Sequence, residues 1–356
     1  MPSLRAIVLG LATTTLIHAH AHSHSTLGAD YIIDVHSHVI PPVWKEALIS
    51  AGYPLKNGTL YVDDFPVPDW TLDSHLSTMD ARGINFSTVS VTAPGVAFLR
   101  HDAAAASQLA RRINLQMHNW TQTHPTRLGA LCLLPLPHIN ESLAELEFCL
   151  DTLNFPGIGL YTNFNGTMYL GDRRLDPIFA ALSARNATAF VHPAAPSCPA
   201  VALGHPLPLT EYPFDTVRAM ENLLLTGQRA RFPRATLIFA HGGGAMPYLA
   251  PRIAGLASME FMGGRSVADS LAQLAGYYFE TASATSAVQL AALKSFLGTG
   301  RILTGTDYPY VPSDQIAATL PKIQANGGFN ASEMVEIHAG NALRLFPRVA
   351  AVLRGW

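Results

Sequence analysis

The chain has 356 residues, of which 49% are hydrophobic and only 13% charged, so disorder over most of its length is excluded and a large core is expected. Its formal net charge is −2 and no stripe of lysine or arginine stands out, so a nucleic-acid partner is not expected. A chain of this length and composition is predicted to form one large compact domain.

The N-terminal segment, residues 1–25, is predicted to be a signal peptide or a flexible, histidine-rich N-terminus. Arg5 precedes an apolar run from Ala6 to Ile17, and Ala19-His20-Ala21 then fits a cleavage site of the A-x-A type. The run is about a dozen residues long, which is too short to cross a bilayer. No stable membrane span is therefore expected.

Asparagines in N-x-Ser/Thr sequons occur along the rest of the chain: Asn57, Asn85, Asn119, Asn140, Asn165, Asn186 and Asn330. Roughly two sequons would be expected by chance in a chain of this composition. The excess favours entry into the secretory pathway, to the lumen of the endoplasmic reticulum or vacuole or to the exterior. A cytosolic location stays open as the alternative.

The three cysteines are odd in number and widely spaced. They give neither a disulfide framework nor a CxxC metal site. Cys132 and Cys149 lie in apolar segments, where a buried free thiol is the expected state, and Cys198 lies farther along the chain. Cysteine usage therefore leaves the redox compartment undecided.

After about residue 26, short apolar runs alternate with helical patterns, and no linker or internal repeat divides them. The runs predicted as strands buried on both faces are Tyr31–His36, Phe86–Val91, Leu128–Leu133, Gly157–Tyr161, Ala189–His192, Leu237–His241, Tyr277–Thr281 and Ile302–Thr306. The helices predicted between them are Leu72–Arg82, Asp102–Thr123, Asn140–Leu153, Leu175–Arg185, Tyr212–Arg231, Val267–Ala275, Ala284–Leu297 and Ser332–Leu345.

This alternation predicts parallel strand pairing with right-handed crossovers, and hence an α/β fold, a (β/α)₈ TIM barrel, over residues 26–356. An open doubly wound sheet is the alternative, but no G-x-G-x-x-G motif follows the first strand. The glycine- and proline-rich segment at about 44–70 is predicted as an insertion after the first strand, on the side where a barrel carries its active site.

The first strand ends in His36-Ser37-His38, within the string IIDVHSHVI. Because side chains alternate along a strand, both imidazoles are expected on one side, with the small Ser37 between them. That spacing is typical of a chelating pair. A chance HxH at the exit of a histidine-rich segment is the alternative.

Other strand ends carry groups of the same kind. His192 ends the fifth strand in AFVHPAAP, His241 ends the sixth in IFAHGGG, and Asp307 follows the eighth in ILTGTDYPY. Barrel active sites lie at the carboxyl ends of the strands, so these side chains are expected to converge. Imidazoles with one carboxylate suit one divalent ion, Zn²⁺ first and Mn²⁺ or Fe²⁺ as alternatives, with an open position for water or substrate.

The HxH pair with these strand ends resembles the amidohydrolase superfamily. Within it, the strings HPAAP, FAHGGGAMPYLAPRI and GTDYPY resemble the aminocarboxymuconate-semialdehyde decarboxylase-like branch, and most of all the fungal 6-methylsalicylate decarboxylases. The resemblance implies a metal-dependent, non-oxidative carboxy-lyase acting on a small aromatic ortho-hydroxy acid. For 6-methylsalicylate the products would be 3-methylphenol and CO₂, in a polyketide pathway of the patulin type.

The resemblance also assigns roles. His36, His38, His192 and Asp307 would hold the metal. The catalytic residues would be Asp307, which carries a proton to the ring, and His241, which orients the phenol oxygen. Aromatic side chains such as Phe98, Trp70, Phe214 and Tyr308 are candidates for the walls around the ring, with a core role as the alternative.

Arg252, in the string PYLAPRI, matches a family arginine that binds a substrate carboxylate and can come from a neighbouring subunit. A homodimer is therefore an expectation, with a helix-surface arginine as the alternative. The family's other carboxylate-binding arginine has no counterpart between Lys45 and Trp70, which favours a substrate with a single carboxylate.

Two other functions share these residues. A hydrolase of a lactone or amide would use the same metal to activate water. A scaffold without catalysis is disfavoured by the intact set of ligands. Gly242-Gly243-Gly244 after His241 is also consistent with a phosphate loop, but no Lys-Ser/Thr follows, so close backbone packing is the preferred explanation.

Overall fold

The computed structural model describes residues 28 and 30–355, so the predicted N-terminal segment, residues 1–25, lies outside the described residues. Eight parallel strands pair in chain order in one sheet: β1 (Ile33–His38), β2 (Phe86–Ser90), β3 (Leu128–Leu133), β4 (Gly157–Tyr161), β5 (Thr188–His192), β6 (Thr236–Phe239), β7 (Tyr278–Glu280) and β8 (Ile302–Leu303). Val35 N donates to Thr304 O, and His38 N donates to Tyr308 O. These bonds join β1 to the segment that directly follows β8, so the predicted barrel is confirmed.

Helices cover the outside of the barrel. The α-helices are Pro42–Ser50, Leu72–Arg82, Ala103–Thr123, Ile139–Glu147, Asp176–Arg185, Glu211–Leu225, Gln228–Arg231, Met246–Ala257, Val267–Leu274, Ala287–Leu297, Ser313–Thr319, Lys322–Gly327, Ala331–Val335, Asn341–Leu345 and Pro347–Arg354. Two π-helical turns, Phe148–Thr152 and Glu336–Gly340, continue helices that the sequence predicts as unbroken. Within residues 28 and 30–355, no helix is both long and apolar enough to span a bilayer.

The lower half of the barrel is filled by apolar side chains. Ile33, Val35, Phe86, Phe190 and Ile238 belong to one buried cluster. Phe346 and Val349, from the C-terminal helical segment, belong to the same cluster and close it from below. The amino-terminal end of the barrel is therefore packed core, and the polar chemistry is confined to the opposite end.

The insertion at about 44–70 forms ordered structure after its first helix. Leu55–Lys56, Thr59–Val62 and Phe65–Pro66 make a three-stranded antiparallel sheet. Its Asp63 Oδ2 accepts a hydrogen bond from Tyr212 Oη at 2.6 Å, and Asp63 O accepts one from Leu207 N at 3.1 Å. The insertion is thereby tied to the segment that follows β5, on the carboxyl side of the barrel.

The prediction of free thiols at Cys132 and Cys149 is wrong. The two cysteines form a disulfide with a Cα–Cα distance of 5.9 Å, which links β3 to the π-helical turn behind it. Both residues are fully buried, as predicted. They are 17 residues apart in the sequence, and the apolar pattern around each gave no indication that the fold brings them together. Cys198 is free and exposed.

Candidate metal centre and active site

An irregularity in β1 aims both histidines of the HxH pair at the site. Ile33 and Val35 face the apolar interior, so an uninterrupted strand would turn His36 and His38 to the opposite face. The pairing register with β2 shifts between Asp34 and Ser37, and Asp34 Oδ1 accepts a hydrogen bond from His36 N at 3.0 Å. The amino end of β1 therefore contributes apolar side chains to the core, and its carboxyl end contributes two histidines to the site.

The four predicted metal ligands come together. His36, His38, His192 and Asp307 each offer one ligand atom, and these atoms all lie within 4.8 Å of one another. The two Nε2 atoms of the HxH pair are 2.9 Å apart, and each lies 3.2 Å from Asp307 Oδ1. Ligand atoms about 2.1 Å from a tetrahedral ion lie about 3.4 Å from one another, so this spacing fits one ion.

The outer nitrogen of each ligand histidine has a partner of its own. His36 Nδ1 donates to Glu280 Oε1 at 2.9 Å, and His192 Nδ1 donates to Pro193 O at 2.7 Å. His38 Nδ1 lies 3.2 Å from Ser90 Oγ. These contacts fix the ring orientations and leave Nε2 of each ring for the centre, which is the usual arrangement around metal-bound histidines.

Unpaired atoms support the same conclusion. Asp307 Oδ1 is buried and has no hydrogen-bond partner in residues 28 and 30–355, although it lies between the two Nε2 atoms of His36 and His38. Two imidazole nitrogens at 2.9 Å with a carboxylate oxygen beside them are lone pairs directed at one point. A divalent cation would satisfy all three, so the donor set fits the predicted metal.

Glu280 is a site residue that the sequence prediction missed. It is fully buried at the end of β7, and its carboxylate accepts hydrogen bonds from His36 Nδ1, His241 N and Ala282 N. A side chain at Gly305 would collide with this carboxylate, so the glycine makes room for it. One signal in the sequence could have indicated this residue: it is acidic but lies in an otherwise apolar strand run. A carboxylate buried at such a position needs hydrogen-bond or charged partners.

His241 and Asp307 lie face to face beside the ligand cluster. His241 Nε2 lies 3.2 Å from Asp307 Oδ2, the oxygen that does not face the HxH pair. Both residues have positive φ, 56° and 63°, a conformation that is uncommon outside glycine and is concentrated at functional sites. The chain therefore holds an acid–base pair at the edge of the metal centre.

The three glycines after His241 are explained by packing. Gly243 has φ of 70°, and a Cβ there would lie 2.5 Å from the ring of Phe279. The backbone approaches β7 so closely here that only glycine fits. Close packing, the explanation preferred from the sequence over a phosphate loop, therefore accounts for Gly243.

Burial and charge act together on the ligand residues. Burial alone would lower the pKa of His36, but the carboxylates of Asp307 and Glu280 outweigh it and raise this pKa to about 10. Burial lowers the pKa of His38, and burial with the neighbouring histidines lowers the pKa of His192 well below its ordinary value. Burial would raise the pKa of Asp307, yet the adjacent imidazoles hold it well below its usual range. The cluster therefore concentrates negative charge where a cation would bind.

A cavity of about 500 Å³ opens onto the cluster. His192, His241 and Asp307 line it, together with three aromatic side chains: Phe65, Tyr212 and Tyr310. The aromatic residues considered as walls on sequence grounds, Phe98, Trp70, Phe214 and Tyr308, are not among the lining residues. One aromatic wall, Phe65, comes from the insertion instead. The sequence pattern of the insertion did not predict this position.

Arg252 lies exposed on the helix Met246–Ala257 and is not among the residues that line the cavity of its own chain. Its predicted role in binding a substrate carboxylate stays a prediction, and it requires a second subunit.

Comparison with known proteins decides the family. The family model described as amidohydrolase matches residues 33–348. The chain belongs to the amidohydrolase family. The predicted resemblance is thus confirmed over nearly the whole described chain, from β1 to the C-terminal helix.

Several relatives of this amidohydrolase are decarboxylases. "Decarboxylase yanB" of Aspergillus niger is 34% identical over 333 residues, covering 89% of this chain and 87% of that protein. The 6-methylsalicylic acid decarboxylase of Penicillium expansum is 32% identical over 330 residues, covering 90% and 98%. A crystal structure of an amidohydrolase II protein matches with a TM-score of 0.81 at 27% identity, covering 89% of this chain and 99% of that chain. The predicted enzyme class, a carbon–carbon lyase of the decarboxylase type, is confirmed.

Proposed function

We propose that this amidohydrolase removes CO₂ from an aromatic ortho-hydroxy acid, with 6-methylsalicylate as the substrate and 3-methylphenol as the other product. The observation that carries the proposal is the 500 Å³ cavity, in which the ligand residues His192 and Asp307 face a lining that includes three aromatic side chains. A flat aromatic acid matches such a lining, and the relative named 6-methylsalicylic acid decarboxylase supports this substrate. A place in polyketide metabolism of the patulin type is part of the proposal.

His36, His38, His192 and Asp307 would hold one divalent ion, with Zn²⁺ as the first choice and Mn²⁺ or Fe²⁺ as alternatives. When bound, the ion would supply a Lewis acid that withdraws charge from the substrate. The chain's own groups then have two tasks: to orient the ring and to move one proton.

The proton is assigned to the pair His241 and Asp307. Nε2 of His241 lies 3.2 Å from Asp307 Oδ2, so a proton on the imidazole reaches the carboxylate without a water chain. From there it adds to the ring carbon that bears the carboxylate, using ring π electrons to form the new C–H bond. The C–C bond then breaks, its electron pair restores the aromatic ring, and CO₂ leaves. One proton is consumed, and nothing is oxidised or reduced.

The test is product analysis with the full chain loaded with Zn²⁺. 6-Methylsalicylate is expected to give CO₂ and 3-methylphenol in equal amounts. A chelator, and separately Asp307→Ala, is expected to slow the reaction at least roughly a hundredfold. Tight metal binding without CO₂ release from any ortho-hydroxybenzoate would refute the proposal and favour the lactone or amide hydrolase, which shares the same ligand set.

We propose further that the enzyme enters the secretory pathway, and two features support this. The sequon asparagines at positions 57, 119, 140, 165, 186 and 330 are exposed, and a disulfide persists best in an oxidising compartment. Glycosidase treatment of the protein from its native host is expected to lower its mass. An unchanged mass with an intact N-terminus would instead indicate the cytosol.

We also propose a homodimer that completes the site through Arg252. The exposed position of Arg252 and the 86% exposure of Tyr248 on the same helix support a contact between copies at this helix. Light scattering is expected to give twice the chain mass, and Arg252→Ala is expected to raise KM. A monomer with full activity would refute the proposal.

A further inference from the structure

Tyr310 places an unused hydroxyl in the active-site cavity. It follows β8 three residues after Asp307, and its ring is among those that line the cavity. The ring centroid lies 5.6 Å from that of His38 and 6.0 Å from that of Phe65. The hydroxyl oxygen is buried and has no hydrogen-bond partner in residues 28 and 30–355.

Two other polar side chains of the lining, Tyr212 and Gln289, already have partners. Tyr212 Oη donates to Asp63 Oδ2 at 2.6 Å, and Gln289 Nε2 donates to Ser283 O at 3.0 Å. His241 Nε2 is engaged with Asp307. The phenol of Tyr310 thus remains as a donor without a protein acceptor. Burial, with the charge of Asp307 nearby, raises the pKa of Tyr310 and keeps this phenol protonated.

The charge of the residues that line the cavity indicates which kind of ligand group accepts a hydrogen bond from Tyr310. No lysine or arginine is among the described residues that line the cavity, although an aromatic acid brings a negative charge into it. Within one chain, an anion in such a cavity would be stabilised by a bound metal ion and by neutral donors. A buried hydroxyl without a partner also costs free energy until a ligand supplies an acceptor.

We propose that Tyr310 binds the substrate's carboxylate, with its phenol donating a hydrogen bond to a carboxylate oxygen. This role rests on the proposed function, since it requires an aromatic acid as the ligand. It has a kinetic consequence. The carboxylate loses its negative charge as CO₂ forms, so this hydrogen bond is stronger in the bound substrate than in the transition state.

The variant Tyr310→Phe removes only the oxygen and keeps the aromatic wall. KM for 6-methylsalicylate is expected to rise roughly ten- to hundredfold, because a hydrogen bond to a charged group is lost, while kcat stays the same or rises. Tyr277→Phe is the matched control: Tyr277 Oη is also buried and unpartnered, but the residue does not line the cavity. Its kinetics are expected to match those of the unaltered enzyme.

A binding measurement separates this role from the reaction itself. The probes are 2-methylbenzoate, which has the carboxylate without the phenol, and 3-methylphenol, which has the phenol without the carboxylate. Calorimetry on the Zn²⁺-loaded chain is expected to show that Tyr310→Phe weakens binding of 2-methylbenzoate at least about tenfold and leaves 3-methylphenol unchanged.

Equal affinity of both proteins for 2-methylbenzoate would overturn the proposal, and so would a fall in kcat with unchanged KM, which would place the hydroxyl in the chemical step. If the unaltered enzyme releases no CO₂ but the variant still loses affinity for 2-methylbenzoate, the proposed function fails and the carboxylate contact stands.

Discussion

Glu280 controls the orientation of His36 although it is not one of the four ligand residues. Its carboxylate accepts from His36 Nδ1 at 2.9 Å and also from two backbone N–H groups. Glu280→Gln removes the charge but keeps the shape. We expect it to weaken metal binding roughly 10- to 100-fold, as loss of an outer partner of a metal-bound histidine usually does. Competition with a fluorescent chelator would measure this.

Glu145 offers a matched control for that variant. It is equally buried and accepts hydrogen bonds from Arg111 Nε and Asn114 Nδ2, but it lies behind β3 and away from the cluster. Glu145→Gln is expected to lower stability and leave metal affinity unchanged. Equal metal affinity for both variants would show that Glu280 is only a structural carboxylate.

His75 makes the fold sensitive to acid. Burial, with the charge of His38 in support, lowers the pKa of His75 to about 3, and Trp70 Nε1 donates to its Nδ1 at 3.0 Å. Between pH 6.5 and 3 the unfolded chain binds a proton at this residue and the folded chain does not. Stability conferred by the neutral ring is therefore complete above pH 6.5 and is lost as the pH falls, by about 1.4 kcal/mol per pH unit.

The variant His75→Gln keeps an acceptor for Trp70 and cannot titrate. Urea unfolding at pH 7 and pH 4.5 is expected to show a loss of stability that is roughly 2.5 kcal/mol larger for the unaltered protein than for the variant. Equal losses would mean that His75 is protonated in the folded state.

The residues that the sequence could locate were those at strand ends. His36, His38, His192 and Asp307 follow apolar runs, so their convergence is a consequence of barrel topology. Glu280 also lies at the end of a strand, but its role and that of Tyr310 could not be predicted in this way. The role of Glu280 depends on the partners that a buried carboxylate finds, and that of Tyr310 on how a loop turns after β8. Both are set by tertiary packing.

At the scale of secondary structure, the disulfide makes a measurable contribution. It joins β3 to the turn Phe148–Thr152 across a separation of 17 residues. Cross-linking a loop of this size stabilises a fold by about 3 kcal/mol in the chain-entropy model. Cys149→Ser is expected to reduce the free energy of unfolding by about that amount, with Cys198→Ser, at an exposed free cysteine, as the control. Equal stability of the two variants would contradict a disulfide in solution.

The bounds of strands and helices could be predicted where a single hydrophobic period dominates the sequence pattern. β3 and β4 and the helix Leu72–Arg82 have the predicted bounds, because apolar runs and a clear helical start signal both ends. In that helix Thr71 and Ser74 form a capping box, and Gly83 ends it with φ of 68°. β1 begins and ends two residues later than predicted, because its register shift extends the strand through His38. The sheet in the insertion was not predicted, since its strands are only two to four residues long.

At the scale of the whole molecule, the side chains that stabilise the barrel and those of the candidate active site lie at opposite ends. The amino-terminal end is closed by apolar side chains such as Phe190 and Phe346, and the carboxyl end holds the ligand cluster beneath the insertion. Replacement of a ligand at the carboxyl end is therefore expected to affect metal binding more than folding, as is usual for barrel enzymes. In the proposed function, one ion in this cluster supports decarboxylation.

The most direct test is a metal titration of the metal-free chain, with CO₂ release from 6-methylsalicylate as the signal. The rate is expected to rise linearly with added Zn²⁺ and to level off at one ion per chain, while His36→Ala gives no rise over the same range. Full CO₂ release without metal, a plateau at two ions per chain, or one tightly bound ion without CO₂ release would contradict the account.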